Sequence, residues 1–144
     1  MTVYVDTSLC VSPYVQDRHS QAADELLSSG GRVLLTPLHL AEWAHAVAQH
    51  VFRGSMPLSE AERVTREFQA DRAAGLWLEV AIPENAFSLC AELGRRYGPK
   101  FGMRTLDTLH VACALELKAE RFWTFDERQA KLAKAQGMKT SWLV

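Results

Sequence analysis

The chain has 144 residues, 48% of them apolar and 23% charged, which is the make-up of one ordinary globular domain spanning 1–144. A disordered or collagen-like chain is excluded on composition. The formal net charge of −1 means that the molecule as a whole does not attract nucleic acid, so any nucleic-acid surface has to be a local basic patch. No apolar run approaches the roughly 20 residues of a membrane span, and the first residues lack the layout of a secretory leader. A cytoplasmic location with no membrane contact is therefore expected. Cys10, Cys90 and Cys113 are odd in number, form no CxxC pair and sit among apolar residues, as buried thiols in a reducing compartment do.

In chain order, short β-rich runs alternate with helical stretches, the pattern of a parallel sheet covered by helices. Thr2 to Val5 reads as a central strand, apolar without alternation because both of its faces are covered. Residues 19–29 predict a short helix ended by Gly30-Gly31, and Arg32 to Thr36 a second strand. Pro37 opens a helix to about Arg53, with a core stripe of Leu40, Trp43, Ala44, Val47 and Val51. Ser59 with Glu62 predicts a capping box for a helix ending near Ala74. Trp77 to Ala81 reads as a third strand, and Pro83 as the start of a helix buried through Ala86, Leu89, Cys90 and Leu93. The run from Gly94 to Arg104 predicts a flexible basic loop. Thr105 to Lys118 follows as a helix with Leu106, Leu109, Cys113 and Leu117 inward. Phe122 to Phe125 makes a fourth strand, residues 127–136 a helix closed by Gly137, and Met138 to Leu143 a last strand. The expected class is α/β, with a central, mostly parallel sheet of four to five strands flanked by helices.

Four acids stand out by position. Asp6 directly follows the first strand and Asp126 the fourth, and ligands of open parallel sheets gather beyond such carboxyl ends. Either acid also suits the N-cap of the helix after it. Glu42 and Asp107 lie on helices beside the expected core positions Trp43 and Leu106, where a carboxylate is costly unless paired, hydrogen-bonded or bound to metal. If the four converge, at least one carboxyl should have a raised pKa. A carboxylate ring suits Mg²⁺ or Mn²⁺, hard cations that prefer oxygen and can activate water against a phosphodiester.

Other groupings carry less. His39 and His45 are six residues apart, about 240° around a helix, so they diverge where a zinc hydrolase needs its histidines four apart. His110 sits three residues after Asp107 and reads as a hydrogen-bonding neighbour of the site. Arg95, Arg96, Lys100 and Arg104, with Tyr97 and Phe101 among them, suit phosphate binding and base stacking, or equally a solvated helix end. Arg128, Lys131 and Lys134 read as a solvated face.

Four segments together resemble the PIN-domain family, and most closely the VapC-type toxins of bacterial toxin–antitoxin pairs. They are Val5-Asp6-Thr7-Ser8, Leu35 to Glu42, Arg104 to Ala114, and Phe122 to Asp126 with Leu132-Ala133 and Gly137. The resemblance covers nearly the whole chain. It implies a PIN-like three-layer sandwich, Mg²⁺- or Mn²⁺-dependent endoribonuclease activity, frequent homodimers and inhibition by a cognate antitoxin. It further implies Asp6, Glu42, Asp107 and Asp126 as catalytic metal ligands, with Ser8 and Thr124 as hydroxyls that orient the site or a phosphate. The stretch from Arg53 to Arg72 is long and of mixed charge beside that pattern. The alternatives are a PIN-like ribonuclease outside a toxin–antitoxin pair and a catalytically silent binding module; the second would have lost an acid, and all four are present. A haloacid-type phosphatase needs an aspartate two residues after its nucleophile, and position 8 is serine.

Overall fold

The computed structural model describes residues 1–142, so the expected end of the last strand at Leu143 lies outside the described residues. Five strands form one sheet: β1 (Thr2–Val5), β2 (Arg32–Leu35), β3 (Leu78–Glu79), β4 (Arg121–Thr124) and β5 (Lys139–Trp142), in the order β3-β2-β1-β4-β5. Every neighbouring pair is parallel. The chain winds outward from β1 through β2 to β3, then crosses to the other side for β4 and β5. The reversal of direction falls between β1 and β4, and it opens a crevice beyond their carboxyl ends.

Side-chain alternation on the strands builds two cores. Val3, Val5, Val33, Leu35 and Trp123 face α1 (Thr7–Val11), α2 (Ser20–Ser28), α3 (Pro37–Phe52) and α4 (Leu58–Ala73). Tyr4, Leu34 and Phe122 face α5 (Ala86–Phe101), α6 (Thr105–Glu116) and α7 (Glu127–Ala135). With both faces covered, β1 needs no polar alternation, which is why it reads as a plain apolar run. The three-layer α/β class expected from sequence is the one observed. The three cysteines are free and buried.

Several local expectations fail for identifiable reasons. The segment from Gly94 to Phe101 is helical, as the second half of α5, and only Gly102, Met103 and Arg104 lie between it and α6. Glycines at 94 and 98 and a proline at 99 suggest a loop, but Leu93 is buried, and Tyr97 stacks on Phe101 one turn later, at 5.6 Å. Tertiary packing and the aromatic pair outweigh weak local propensity. Gly102, at φ 65°, then supplies the left-handed residue that closes the helix.

The Ser59–Glu62 capping box does not form, because Pro57 takes the cap position and Ser59 lies inside α4. β3 is shorter than expected, being an edge strand that pairs only with β2. The inward stripe of α3 runs through His39, Trp43 and Val47, leaving Ala44 exposed. Leu106 is 47% exposed, since the first turn of α6 projects past the core that buries Thr108 to Ala114.

Candidate active site

Asp6 follows the last residue of β1, and its N–H donates to the Trp123 carbonyl of β4 at 3.1 Å. This bond continues the β1–β4 register, in which Val5 lies opposite Trp123. Asp6 is thereby set beside Thr124. Its carboxylate caps α1, accepting from the Ser8 N–H at 3.2 Å and the Ser8 hydroxyl at 3.1 Å. Asp126 caps α7 through one oxygen, Oδ1, which accepts from the N–H groups of Arg128 (2.9 Å) and Gln129 (3.1 Å). Both strand-end acids are therefore helix caps and crevice residues at once. One carboxylate oxygen is enough to cap a helix, so capping and ligand binding do not exclude each other.

Thr124 joins the two. Its hydroxyl accepts from the Asp126 N–H at 2.9 Å and faces two oxygens, Gln129 Oε1 at 2.7 Å and Asp6 Oδ2 at 3.2 Å. A hydroxyl has one proton to give. When it goes to Gln129, a protonated Asp6 satisfies the remaining approach by donating to Thr124. Burial pushes the Asp6 carboxyl above its ordinary value, against the lowering effects of nearby His110 and of the bonds from Ser8 and Thr124. The raised carboxyl expected from crowding is thus present, but its principal cause is desolvation and not a neighbouring acid.

Glu42 reaches the crevice from α3. It accepts the Thr7 hydroxyl at 2.8 Å and a short bond from His110 Nε2. Burial would raise its pKa, but the bonds from His110 and Thr7 outweigh that effect and hold it below the ordinary value. On the far side of the imidazole, Nδ1 lies 2.7 Å from the Tyr4 hydroxyl. Burial keeps the Tyr4 phenol protonated, so it can donate to Nδ1 while Nε2–H donates to Glu42. The neighbouring His39 is fixed in the same tautomer. The Thr36 N–H donates to its Nδ1 at 3.0 Å, and its Nε2 donates to the Val5 carbonyl at 2.8 Å. Burial drives its pKa down to about 3, so it stays neutral and ties β1, β2 and α3 together below the site.

Asp107 enters from the first turn of α6 and accepts from Arg104 Nε at 3.1 Å. Its backbone carbonyl is held by Gln129 Nε2 at 3.1 Å. Gln129 is fully buried and so links Asp107 to Thr124. Ser8 is exposed on the rim. Arg95, Arg96 and Lys100 lie on the solvent side of α5, with Arg96 over the Tyr97 ring at 5.4 Å, and they make no bond to the four acids.

Sequence reasoning missed Thr7, Tyr4, His39 and Gln129 as supports of the site. Gln129 had a readable signal, since with Leu132 and Ala133 it lies on the inward stripe of α7, where glutamine is costly unless bonded. The pairing of Tyr4 with His110 had none, because 106 residues separate them.

The donor set is oxygen from four carboxylates and two hydroxyls, which fits a hard divalent cation and not zinc. Among the described residues, no three acidic, histidine or cysteine side chains are close enough to hold one ion together. Instead, Asp107 is turned to Arg104 and Glu42 to Thr7 and His110. The chemistry of the site fits a divalent metal, and Arg104 competes with such an ion for the Asp107 carboxylate.

Solved structures that share this fold include the following three. VapBC2 from Rickettsia felis, bound to a DNA fragment from its promoter, matches at 16% identity and TM-score 0.70, over 100% of both chains. Mycobacterium tuberculosis VapC20, described as a sarcin–ricin loop cleaving toxin, matches at 15% and 0.70, covering 90% of this chain and 93% of that one. FitAcB from Neisseria gonorrhoeae matches at 17% and 0.70, covering 96% and 95%. A search of curated proteins finds no match. The sequence model of the PIN domain matches residues 3–135, the span that holds all four acids and the sheet from β1 to β4, and the chain belongs to the PIN domain family.

Proposed function

We propose that this chain is an endoribonuclease that cleaves RNA with the help of Mg²⁺ or Mn²⁺, and that it acts as the toxin of a toxin–antitoxin pair. The observation that carries the proposal is the meeting of Asp6, Thr124 and Asp126 at the β1–β4 crossover, with Glu42 brought beside them on Thr7 and His110. Asp6, Glu42, Asp107 and Asp126 would hold the ion, which when bound supplies charge neutralisation at the phosphodiester and activation of water. His110 and Thr7 keep Glu42 ionised and aimed. Thr124 and Ser8 orient Asp6. Arg104 is within reach to meet the phosphate, and Arg95, Arg96 and Lys100 offer a basic helix face along which RNA can lie.

The toxin reading is supported by the fold shared with VapC20, VapBC2 and FitAcB. It is also supported by an apolar groove between α3 and α4, where Phe52 (87% exposed) and Leu58 (63% exposed) offer surface for a protein partner. A cognate antitoxin and a second copy of the chain, as a homodimer, are the proposed partners. No helix among the described residues is long and apolar enough to cross a membrane, and a cytoplasmic location is part of the proposal.

The deciding experiment incubates the purified protein with cellular RNA, with and without EDTA, and sequences the cut ends. Cleavage that needs Mg²⁺ or Mn²⁺ and leaves 5′-phosphate and 3′-hydroxyl ends is expected, since water is the attacking group. Cyclic 2′,3′-phosphate ends, or full activity in excess EDTA, would overturn the mechanism. Growth arrest on expression, relieved by the product of a neighbouring reading frame, tests the toxin assignment; absence of arrest by an active nuclease removes it. Sedimentation of the purified protein reads the dimer.

A further inference from the structure

We propose that Arg104 is a resident counter-ion of the carboxylate site, competing with the divalent cation for Asp107 and passing to the RNA phosphate once the cation displaces it. The inference rests on the proposed metal-dependent function and concerns how that site is kept and switched.

Arg104 is the N-cap residue of α6, and its guanidinium Nε holds Asp107 Oδ2 at 3.1 Å, three residues on. The pair stands at the crevice and not on an isolated helix face: Gln129 ties the Asp107 carbonyl to the Thr124 hydroxyl, which meets Asp6 Oδ2 and the Asp126 N–H.

The rest of the site shows what this does. Glu42 has its own partners in His110 and Thr7, and Asp126 Oδ1 is spent on capping. Asp107 has only Arg104 among the described side chains, and no three acids gather closely enough to hold an ion together. A cation entering the crevice competes with Arg104 for the charge of the Asp107 carboxylate, of which Arg104 holds Oδ2. The pair is built to yield, because the Arg104 side chain is 79% exposed and an ion pair so wet is weak. Its backbone is fixed all the same: the Arg104 carbonyl accepts from the Thr108 N–H at 3.1 Å and the Thr108 hydroxyl at 3.0 Å. The released guanidinium therefore stays at the crevice, where its planar fork suits a phosphate.

The test measures Mn²⁺ binding by calorimetry on RNA-free protein, and RNA binding separately in EDTA and in Ca²⁺. Arg104→Gln should bind Mn²⁺ about two- to fivefold more tightly than wild type, the range set by losing a weak exposed competitor. The same variant should bind RNA in Ca²⁺ about tenfold less tightly, because one charge-assisted hydrogen bond to phosphate is removed. Arg128→Gln is the control. Arg128 donates its backbone N–H to Asp126, and its side chain bonds only the Gly102 carbonyl, so this change removes an equal charge from the same rim but no ion pair. Arg104→Lys should lie between wild type and Arg104→Gln in Mn²⁺ affinity. Opposite changes in metal and RNA affinity, specific to position 104, are the expected result. Equal Mn²⁺ affinities for wild type and Arg104→Gln would overturn the counter-ion role while leaving a metal site intact. No Mn²⁺ binding by either protein would overturn both this inference and the metal-dependent function.

Discussion

The Tyr4 hydroxyl lies 2.7 Å from His110 Nδ1, in the core directly behind the imidazole nitrogen that holds Glu42. The bond runs from the central strand to the buried stretch of α6, and both residues are within 1% of full burial. It fixes the tautomer of His110 and so decides which nitrogen faces the carboxylate. Tyr4→Phe leaves Nδ1 unpartnered without changing the packing shape. The expected cost is about 1–3 kcal/mol, or a fall in Tm of roughly 2–4 °C per kcal/mol, read by thermal melts. A Tyr4→Phe protein as stable as wild type would show that the bond contributes nothing.

The basic face of α5 makes a separate prediction. Arg95, Arg96 and Lys100 are exposed on a helix whose C-terminal turn is braced by the Tyr97–Phe101 stack. Being on a helix, their charges have fixed spacing along an RNA strand. Changing all three to alanine should weaken RNA binding and lower the log–log salt slope by about 0.7 for each phosphate no longer neutralised. The melting temperature should stay close to that of wild type. An unchanged slope would return these residues to ordinary solvated surface.

Gly102 sets where α5 stops and where Arg104 begins. At φ 65° a side chain is strained, although an added Cβ would meet nothing nearer than Arg128 Nη1 at 3.8 Å. The cost of Gly102→Ala is therefore backbone strain alone, about 1 kcal/mol. Asparagine tolerates the left-handed region better, so stability should fall in the order Gly, Asn, Ala. Chemical denaturation of the three proteins reads that order. An Ala variant as stable as the Gly protein would mean that the turn relaxes, in which case the Arg104–Asp107 pair should be lost as well.

Much of this was legible from the sequence because it depends on local pattern. The alternation of strands and helices, the acids at the ends of β1 and β4, and the glycine closing α7 are all short-range signals. What was illegible depends on tertiary packing. Residues 94–101 carry two glycines and a proline, and only the packing of Leu93, Tyr97 and Phe101 makes them helical. Leu106 looked inward by periodicity, but periodicity does not say where a helix passes the edge of its core. The acids could be counted, but not their partners. Nothing near Glu42 in sequence points to His110, 68 residues away.

Asp6 gives the pH-dependent prediction. Its folded pKa is raised above the ordinary 3.8, chiefly by burial, so the folded chain holds this proton more tightly than the unfolded chain does. The stability it lends is full below about 3.8 and is lost as pH rises through the folded value. At neutral pH, a buried carboxylate without metal is a net cost. Asp6→Asn keeps an oxygen to cap α1 through the Ser8 N–H and adds an amide able to donate to Thr124, which lacks a proton to give both neighbours. In EDTA the variant should therefore melt above wild type at pH 7, and the gap should close as pH falls toward 4. Glu42 works in the opposite sense: its pKa is held below the ordinary 4.5, so its contribution is lost as pH falls through that lower folded value. It is present in both proteins and cancels in the difference. Adding Mn²⁺ should reverse the ranking, because wild type gains a ligand-bound state that the variant has largely lost. Cleavage by Asp6→Asn should be abolished. Melts of both proteins from pH 4 to 8, with EDTA and with Mn²⁺, read all of this. A gap that does not change with pH would show that Asp6 is ionised at no cost, and that the crevice is wetter than its burial indicates.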